Sequence, residues 1–356
     1  MGNGKSKVPL SFASIEKEGD GGYRCERPRE GTSGRSHGTQ PMVPNNGRGH
    51  ASLCIHSSQA DDIDYLELES YKREYWLDPS AIVHKLSIPT NHMKAALGTF
   101  QGQRVFIKCL DLASSRNDFM GQKKALVREV HSLVRVNHPN IVHFVGFSIT
   151  IDHGFCCLFE YMEGKTLRHL LHDIENQLSW VKQKIHIAMD IATALVYLHS
   201  LRPRIIHHTV KAEKILITSC GEAKLSSIDR DFHRTRAYEI ATMSVLYTED
   251  IEWSAPEVIL SEYYTEKVDV YSFGVLLTVL DTREPPFAIE KTKMPFTLMT
   301  NKIASGELRP TVSSDCPPCI KEIVDLCLAY DASQRPASDR ILQMLREARL
   351  ELLDRE

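Results

Sequence analysis

Trp180 to Ser200 constrains the fold of this chain more than any other stretch. Ile185, Ala188, Ile191, Ala192, Leu195 and Leu198 recur there at helical spacing and share one face. A helix with so continuous an apolar stripe has to be buried inside a lobe large enough to surround it. The stretch runs into a short loop, Ile205 to Lys214, written IIHHTVKAEK. Whatever the loop does is therefore done at the end of a buried support. Further helices are expected at 271–280, 320–329 and 338–353, which makes the second half of the chain α-rich.

The first half has a different period. β-Branched and aromatic residues mark Arg104-Val105-Phe106-Ile107-Lys108 as a strand. A helical pattern runs from about Asp118 to Val136 and stops before His138-Pro139-Asn140-Ile141-Val142. Strands, one helix and more strands suit a small sheet-rich lobe. Phe159-Glu160-Tyr161-Met162-Glu163-Gly164 reads as the hinge between lobes. The expectation is an α+β fold in two lobes: a β-rich lobe with its hinge at 79–163, then a larger α-rich lobe at 164–353. Before them come a disordered arm at 1–60 and an acidic, aromatic linker at 61–78.

The arm is rich in Gly, Ser, Arg and Pro, and it buries too little surface to offset the entropy of ordering. Its start, Met1-Gly2-Asn3-Gly4-Lys5-Ser6-Lys7, fits M-G-x-x-x-[ST] and predicts N-myristoylation at Gly2. One acyl chain anchors only marginally, and Lys5 and Lys7 add a weak electrostatic attraction. The expected location is cytoplasmic with peripheral membrane contact.

A net charge of -3 argues against nucleic acid as a partner. No run of about 18 apolar residues is present to span a membrane, and the start lacks the apolar core of a signal peptide. The nine cysteines are therefore expected to be reduced, inside a cell. Cys316-Pro317-Pro318-Cys319 has the C-x-x-C spacing of redox and zinc sites, but no second pair matches it, so it reads as a turn before a helix.

Several motifs stand in order along the chain: VFIK at 105–108, NHPNIV at 137–142, HHTVKAEK at 207–214, WSAPEV at 253–258, DVYSFGVLL at 269–277 and SQRPAS at 333–338. Together they resemble the protein kinase family, and more narrowly its tyrosine-kinase-like group, over about residues 75–350. The resemblance implies that Lys108 pairs with Glu129, which lies nine residues before His138. It implies that Glu257 is clamped by Arg335, and that Asp269 accepts hydrogen bonds from the loop backbone. His207 and Lys211 are the loop residues it finds retained. Leu133, His207 and Ile228 stand where the family's regulatory spine passes, which implies an active-like shape.

The same resemblance puts the departures at the chemistry. Kinases write the loop H-R-D-L-K-x-x-N, where the Asp accepts the substrate proton and the Asn holds magnesium. Here His208 replaces the Arg, Thr209 the Asp and Lys214 the Asn. Ser227-Ile228-Asp229 falls where the family writes D-F-G, with a slide of register to Asp231-Phe232-His233 as the alternative. A neutral Thr209 hydroxyl cannot take a proton as a carboxylate does. Ile88, Thr90 and Met93 take the three glycine places within Ser87 to Gly98, and their side chains keep backbone amides away from phosphates. Phe106 replaces the small residue beside adenine, and Phe159 narrows the rear of the pocket.

Two functions follow from the resemblance. The first is a pseudokinase that takes no cofactor and acts in signalling as a scaffold or allosteric partner of other proteins, an active kinase among them. The second is an ATP-dependent serine/threonine protein kinase with a rewired site, using ATP with or without magnesium. There Lys214 supplies the charge of a lost magnesium, and Asp229 or Asp231 stands in for the metal ligand. Losing the base alone costs about 10²–10⁴ in rate. Between Ser227 and Glu257, the side chains of Thr235, Tyr238, Thr242, Ser244, Tyr247 and Thr248 are open to phosphorylation, with nothing to choose among them. His208 would pair with such a phosphate only when protonated.

Overall fold

The computed structural model of the chain describes residues 63–88, 93–113, 116–173, 175–226 and 250–354. Gly2 and the rest of the expected arm lie outside the described residues, as do Thr90, Ser227, Ile228, Asp229, Asp231 and the hydroxyl-bearing residues from Thr235 to Thr248.

Two short helices, α1 (Ile63–Leu66) and α2 (Glu69–Tyr75), occupy the stretch that its composition marks as a linker. Leu68, Tyr71 and Tyr75 recur at helical spacing, and Leu68 is buried. The first lobe is an antiparallel sheet in the order β1-β2-β3-β5-β4, formed by β1 (Ile82–Ile88), β2 (Lys94–Phe100), β3 (Gln103–Cys109), β4 (Phe144–Thr150) and β5 (Gly154–Glu160). Helix α3 (Arg116–Leu133) connects β3 to β4. It ends before the His138-Pro139 step, which a helix does not cross without losing a hydrogen bond.

Alternation along β3 separates two faces. Val105, Ile107 and Cys109 are buried with Ala96, Cys156 and Leu158, while Phe106 turns to the other side, against the core that contains Phe159. The N-terminal helices seal one flank of this lobe. Tyr75 donates its hydroxyl to the Val134 carbonyl (3.0 Å) just past α3, and its ring stacks on Phe144 at 5.8 Å. Tyr71 meets His131 edge-on, and the Lys123 ammonium lies 4.2 Å from the centre of the Tyr65 ring. The backbone comes so close that a Cβ at Gly146 would stand 2.3 Å from the Tyr75 carbonyl oxygen. Only glycine permits that approach.

The second lobe contains α4 (Leu167–His172), α5 (Ile185–Ser200), α6 (Pro256–Ile259), α7 (Lys267–Thr282), α8 (Ala288–Lys293), α9 (Phe296–Ala304), α10 (Pro318–Cys327) and α11 (Ser338–Leu353). Two short strands, β6 (Ile215–Ile217) and β7 (Ala223–Leu225), pair beneath the hinge. The long apolar helix enters through a π-helical turn, Trp180–Lys184, which Ser179 caps by accepting from the Lys182 amide (3.2 Å). Its six stripe residues, Ile185, Ala188, Ile191, Ala192, Leu195 and Leu198, are each at most 1% exposed. Each large one contributes about 1.5–3 kcal/mol by leaving water. Helix α10 starts on Pro318, which has no amide hydrogen to leave unpaired there. Cys316 lies just before it, where burial pushes the thiol up to about 12.

One buried ion pair ties α6 to the segment before α11. The Arg335 guanidinium, fully buried, forks onto both oxygens of Glu257 at 2.6 and 2.9 Å. Its other hydrogens go to the carbonyls of Ala329 (2.8 Å), Lys267 (3.0 Å) and Tyr330 (3.1 Å). A lysine has neither the planar fork nor five donors. Glu257→Gln is expected to lower the unfolding free energy by about 3–5 kcal/mol in urea titrations, because it strands the buried Arg335 charge, and Arg335→Lys is expected to lower it by less, since it keeps the charge and loses the fork. A loss below about 1 kcal/mol for Glu257→Gln would mean that water reaches the pair.

Candidate functional site

The loop after α5 is shaped by a carboxylate from α7. Asp269 is fully buried; one oxygen accepts from the His207 amide (2.8 Å) and from His199 Nε2 (2.9 Å), the other from the His208 amide (2.8 Å). Burial alone would raise its carboxyl pKa. The His199 hydrogen bond, and then the charges of His199, His208 and His207, outweigh that and hold it below the ordinary value. These bonds keep His208 at φ 70, a left-handed conformation that costs a non-glycine residue about 1–2 kcal/mol. The His208 ring meets Tyr264 edge-on, 5.5 Å between centres. His207 is buried, with Nε2 3.2 Å from the Ser226 carbonyl and Nδ1 3.4 Å from the Thr209 amide. That geometry suits the tautomer with the proton on Nε2.

On the sheet side, Lys108 donates to Glu129 at 2.7 Å, bringing β3 and α3 together. The lysine is 19% exposed and the glutamate 5%, so little water screens the pair. Cys157 lies across the strands from Lys108, and burial pushes its thiol well up. Phe106 pairs in register with Phe159, ring centres 6.5 Å apart. Phe159 in turn meets Phe144 at 5.7 Å, so an aromatic column runs from Tyr75 of α2 to Phe106. Of the three glycine places, Ile88 ends β1 and Met93 directly precedes β2. Gly98 lies inside β2, where an added Cβ would stand 2.4 Å from the Val83 carbonyl oxygen. Close packing between β1 and β2 accounts for that glycine.

The hinge is braced on both sides. Lys224 of β7 grips both oxygens of Glu160 at 2.8 and 2.9 Å, and Glu160 also takes the His143 amide. Arg104 lies 4.0 Å over the Tyr161 ring and bonds Glu163 at 2.8 Å. Gly164 runs so tightly against β6 that a Cβ would overlap the Ile217 carbonyl oxygen, 1.4 Å away.

Thr209 is 8% exposed, and its Oγ1 has no hydrogen-bond partner among the described residues. Lys211, two positions on, is bonded to the Asp250 carboxylate. Lys214 closes a 3-10 turn, and its carbonyl accepts from the amide (2.8 Å) and hydroxyl (2.9 Å) of Ser226. Leu133 and His207 are both buried; Ser227 and Ile228 lie outside the described residues, as does Gly2. Among the described residues no group of three or more His, Cys, Asp or Glu could hold a metal, and no helix is long and apolar enough to cross a membrane.

Three participants carry no signal in the local sequence. Asp250 and His199 are charged or polar residues without a motif, and each meets its partner far along the chain. The Lys224 partner of Glu160 is likewise 64 positions away.

A five-stranded lobe carrying a lysine–glutamate pair, hinged to a helical lobe whose buried Asp holds a loop, defines a protein kinase fold. A family model described as protein tyrosine and serine/threonine kinase matches residues 90–345, and the chain belongs to that family. The chain is 31% identical over 256 residues to the probable serine/threonine-protein kinase drkA of Dictyostelium discoideum, a match covering 72% of this chain and 38% of that protein. It is 30% identical over 276 residues to the dual specificity protein kinase pyk3 of the same organism, covering 77% of this chain and 19% of the relative. A putative mitogen-activated protein kinase kinase kinase 7-like protein of Drosophila melanogaster is 31% identical over 252 residues, 70% of this chain and 61% of its own. The matched part thus spans less than two thirds of each relative's length.

The lowered pKa of Asp269 gives its contribution a sign. The stabilisation is complete above the ordinary value of 3.8 and is lost as pH falls through the folded value. Asp269→Asn is expected to be less stable than the parent at neutral pH, and the difference should shrink as pH falls below 3.8. Urea midpoints across pH 2–7 measure it. A difference that does not change with pH would assign the loss to packing.

Proposed function

We propose that this kinase domain is a pseudokinase, acting in signalling as a scaffold or allosteric partner of other proteins, an active kinase among them. The observation that carries the reading is at the loop: a buried, neutral Thr209 where the family has its proton acceptor, with Lys211, two positions on, engaged by Asp250. A neutral hydroxyl cannot take the substrate proton in the transition state as a carboxylate does. The residues at the metal positions fit magnesium poorly as well. Magnesium takes oxygen ligands, chiefly carboxylates and phosphates, whereas the Lys214 ammonium has three donors and no acceptor. Phe106 and Phe159 add bulk where a base would insert.

What the domain keeps supports binding. The Lys108–Glu129 pair, the braced hinge and the Glu257–Arg335 clamp hold the sheet lobe, the hinge and the helical lobe each in a defined local shape. Such a shape, presented at a membrane surface through acylated Gly2, is what a partner would recognise. A rewired serine/threonine kinase is the second reading. The relatives' names and the intact Lys108–Glu129 pair favour it.

Thermal unfolding of the full chain with excess ATP separates the two. A ligand at a hundredfold its Kd adds about 2.7 kcal/mol, which moves the midpoint of a domain this size by roughly 5–10 °C. No rise is expected with magnesium and ATP. A magnesium-dependent rise would mean that the metal ligands are misassigned and would favour the rewired enzyme.

A further inference from the structure

Four residues stand in one row across the sheet of the first lobe. The registers pair Lys94 of β2 with Cys109 of β3, Cys109 with Cys156 of β5, and Cys156 with Ser148 of β4. The two cysteines are thus direct cross-strand neighbours, and both belong to the apolar face that also holds Val105, Ile107 and Leu158. Their pairing is of the closer kind. The Leu110 amide donates to the Phe155 carbonyl (3.2 Å), so residues 110 and 155 are a hydrogen-bonded pair, and Cys109 with Cys156, one step along, is a non-hydrogen-bonded one. Cα atoms in such a pair lie about 4.5 Å apart, within the roughly 4.4–6.8 Å over which a disulfide closes. Cys157, the next residue of β5, pairs with Lys108 and faces the other side of the sheet.

The row also sets the two thiols apart. Burial pushes Cys109 up to about 11, against the pull of the Lys94 ammonium, while burial and then the Cys109 sulfur push Cys156 up to about 12. The Cys156 thiol donates to the Ser148 carbonyl (3.5 Å). Cys109 is the last residue of β3 and its cross-strand partner Lys94 is half-exposed, whereas Cys156 is fully buried within β5. Small openings at the end of a strand cost little. They admit an oxidant the size of water to Cys109 and exclude a tripeptide disulfide.

We propose that Cys109 and Cys156 are a dithiol that hydrogen peroxide closes to a cross-strand disulfide, with Cys109 attacking and Cys156 resolving. The Cys109 thiolate takes one oxygen of the peroxide as the O–O bond breaks, and the departing hydroxide is protonated to water. Cys156 then attacks the Cys109 sulfur of the resulting sulfenic acid. The S–O bond breaks, the hydroxide leaves as water with the Cys156 proton, and the two sulfurs have given two electrons to the peroxide. The new bond ties the strand that carries Lys108 to the strand that enters the hinge, and it closes residues 110–155, with α3 and Glu129, into a covalent ring. None of this depends on whether the loop after α5 transfers phosphate.

The test treats the reduced full chain in native buffer with hydrogen peroxide and, separately, with oxidised glutathione. Remaining thiols are alkylated, the protein is digested without reductant, and the peptides are weighed and fragmented. Peroxide is expected to give a peptide pair joined through Cys109 and Cys156, lighter by two hydrogens than its reduced parts and separated by reductant. Fragmentation between Cys156 and Cys157 assigns the sulfur without any variant. Cys157→Ala is expected to keep the link and Cys109→Ala to lose it. The rate should climb about tenfold per unit between about pH 7 and 9, where the Cys109 thiolate is still the minor form. The absence of a linked pair while the exposed Cys220 is oxidised would overturn the proposal. So would a bond through Cys157, a rate that ignores pH, or glutathione left attached to Cys109.

Discussion

The buried carboxylate of Asp269 is the interaction on which the rest of the site depends. Three donors converge on it, two of them amides of consecutive loop residues and the third the His199 imidazole. A charge removed from water so completely is tolerated only when it is hydrogen-bonded on this scale. In return it fixes the loop in a conformation that His208 would not adopt alone. His207, Thr209 and Lys211 inherit their positions from that constraint. The bonds from the loop to Asp269 are made by the backbone amides of His207 and His208, not by the side chains at its chemical positions.

The same separation of shape from chemistry appears in the sheet lobe. Lys108 and Glu129 remain paired, β3 keeps its two-faced alternation, and the hinge is held by Glu160–Lys224. Beside this framework sits an aromatic column from Tyr75 through Phe144 and Phe159 to Phe106. It connects helix α2 to Phe106 of β3 through ring-centre distances of 5.7 to 6.5 Å. Packed aromatic rings transmit strain because a dense interior has no room to absorb it.

Much of this was legible from local pattern. The stripe from Ile185 to Leu198 marks a buried helix because helical period and burial are properties of neighbouring residues. The motifs around Glu257, Asp269 and Arg335 mark the scaffold, since each is short and stands in order. Tyr71 and Tyr75 show the helical spacing of α2, but their acidic surroundings outweighed it and the stretch read as a linker. The π-helical turn at Trp180–Lys184 left no mark on the apolar pattern. Asp250 was invisible for a different reason: its meaning comes entirely from Lys211, 39 positions earlier, and from the backbone that presents it. Contacts of that range are fixed by tertiary packing, which a local window does not contain.

Whether this kinase domain transfers phosphate is best judged by the transfer step itself. The direct measurement is a single-turnover assay with radiolabelled ATP and magnesium, comparing the full chain with its Lys108→Met variant on protein and peptide acceptors. Label no greater than that of the variant is the outcome expected of a domain that binds without transferring. Label on an acceptor that disappears with Lys108→Met would contradict it, and would mean that a group other than Thr209 removes the substrate proton.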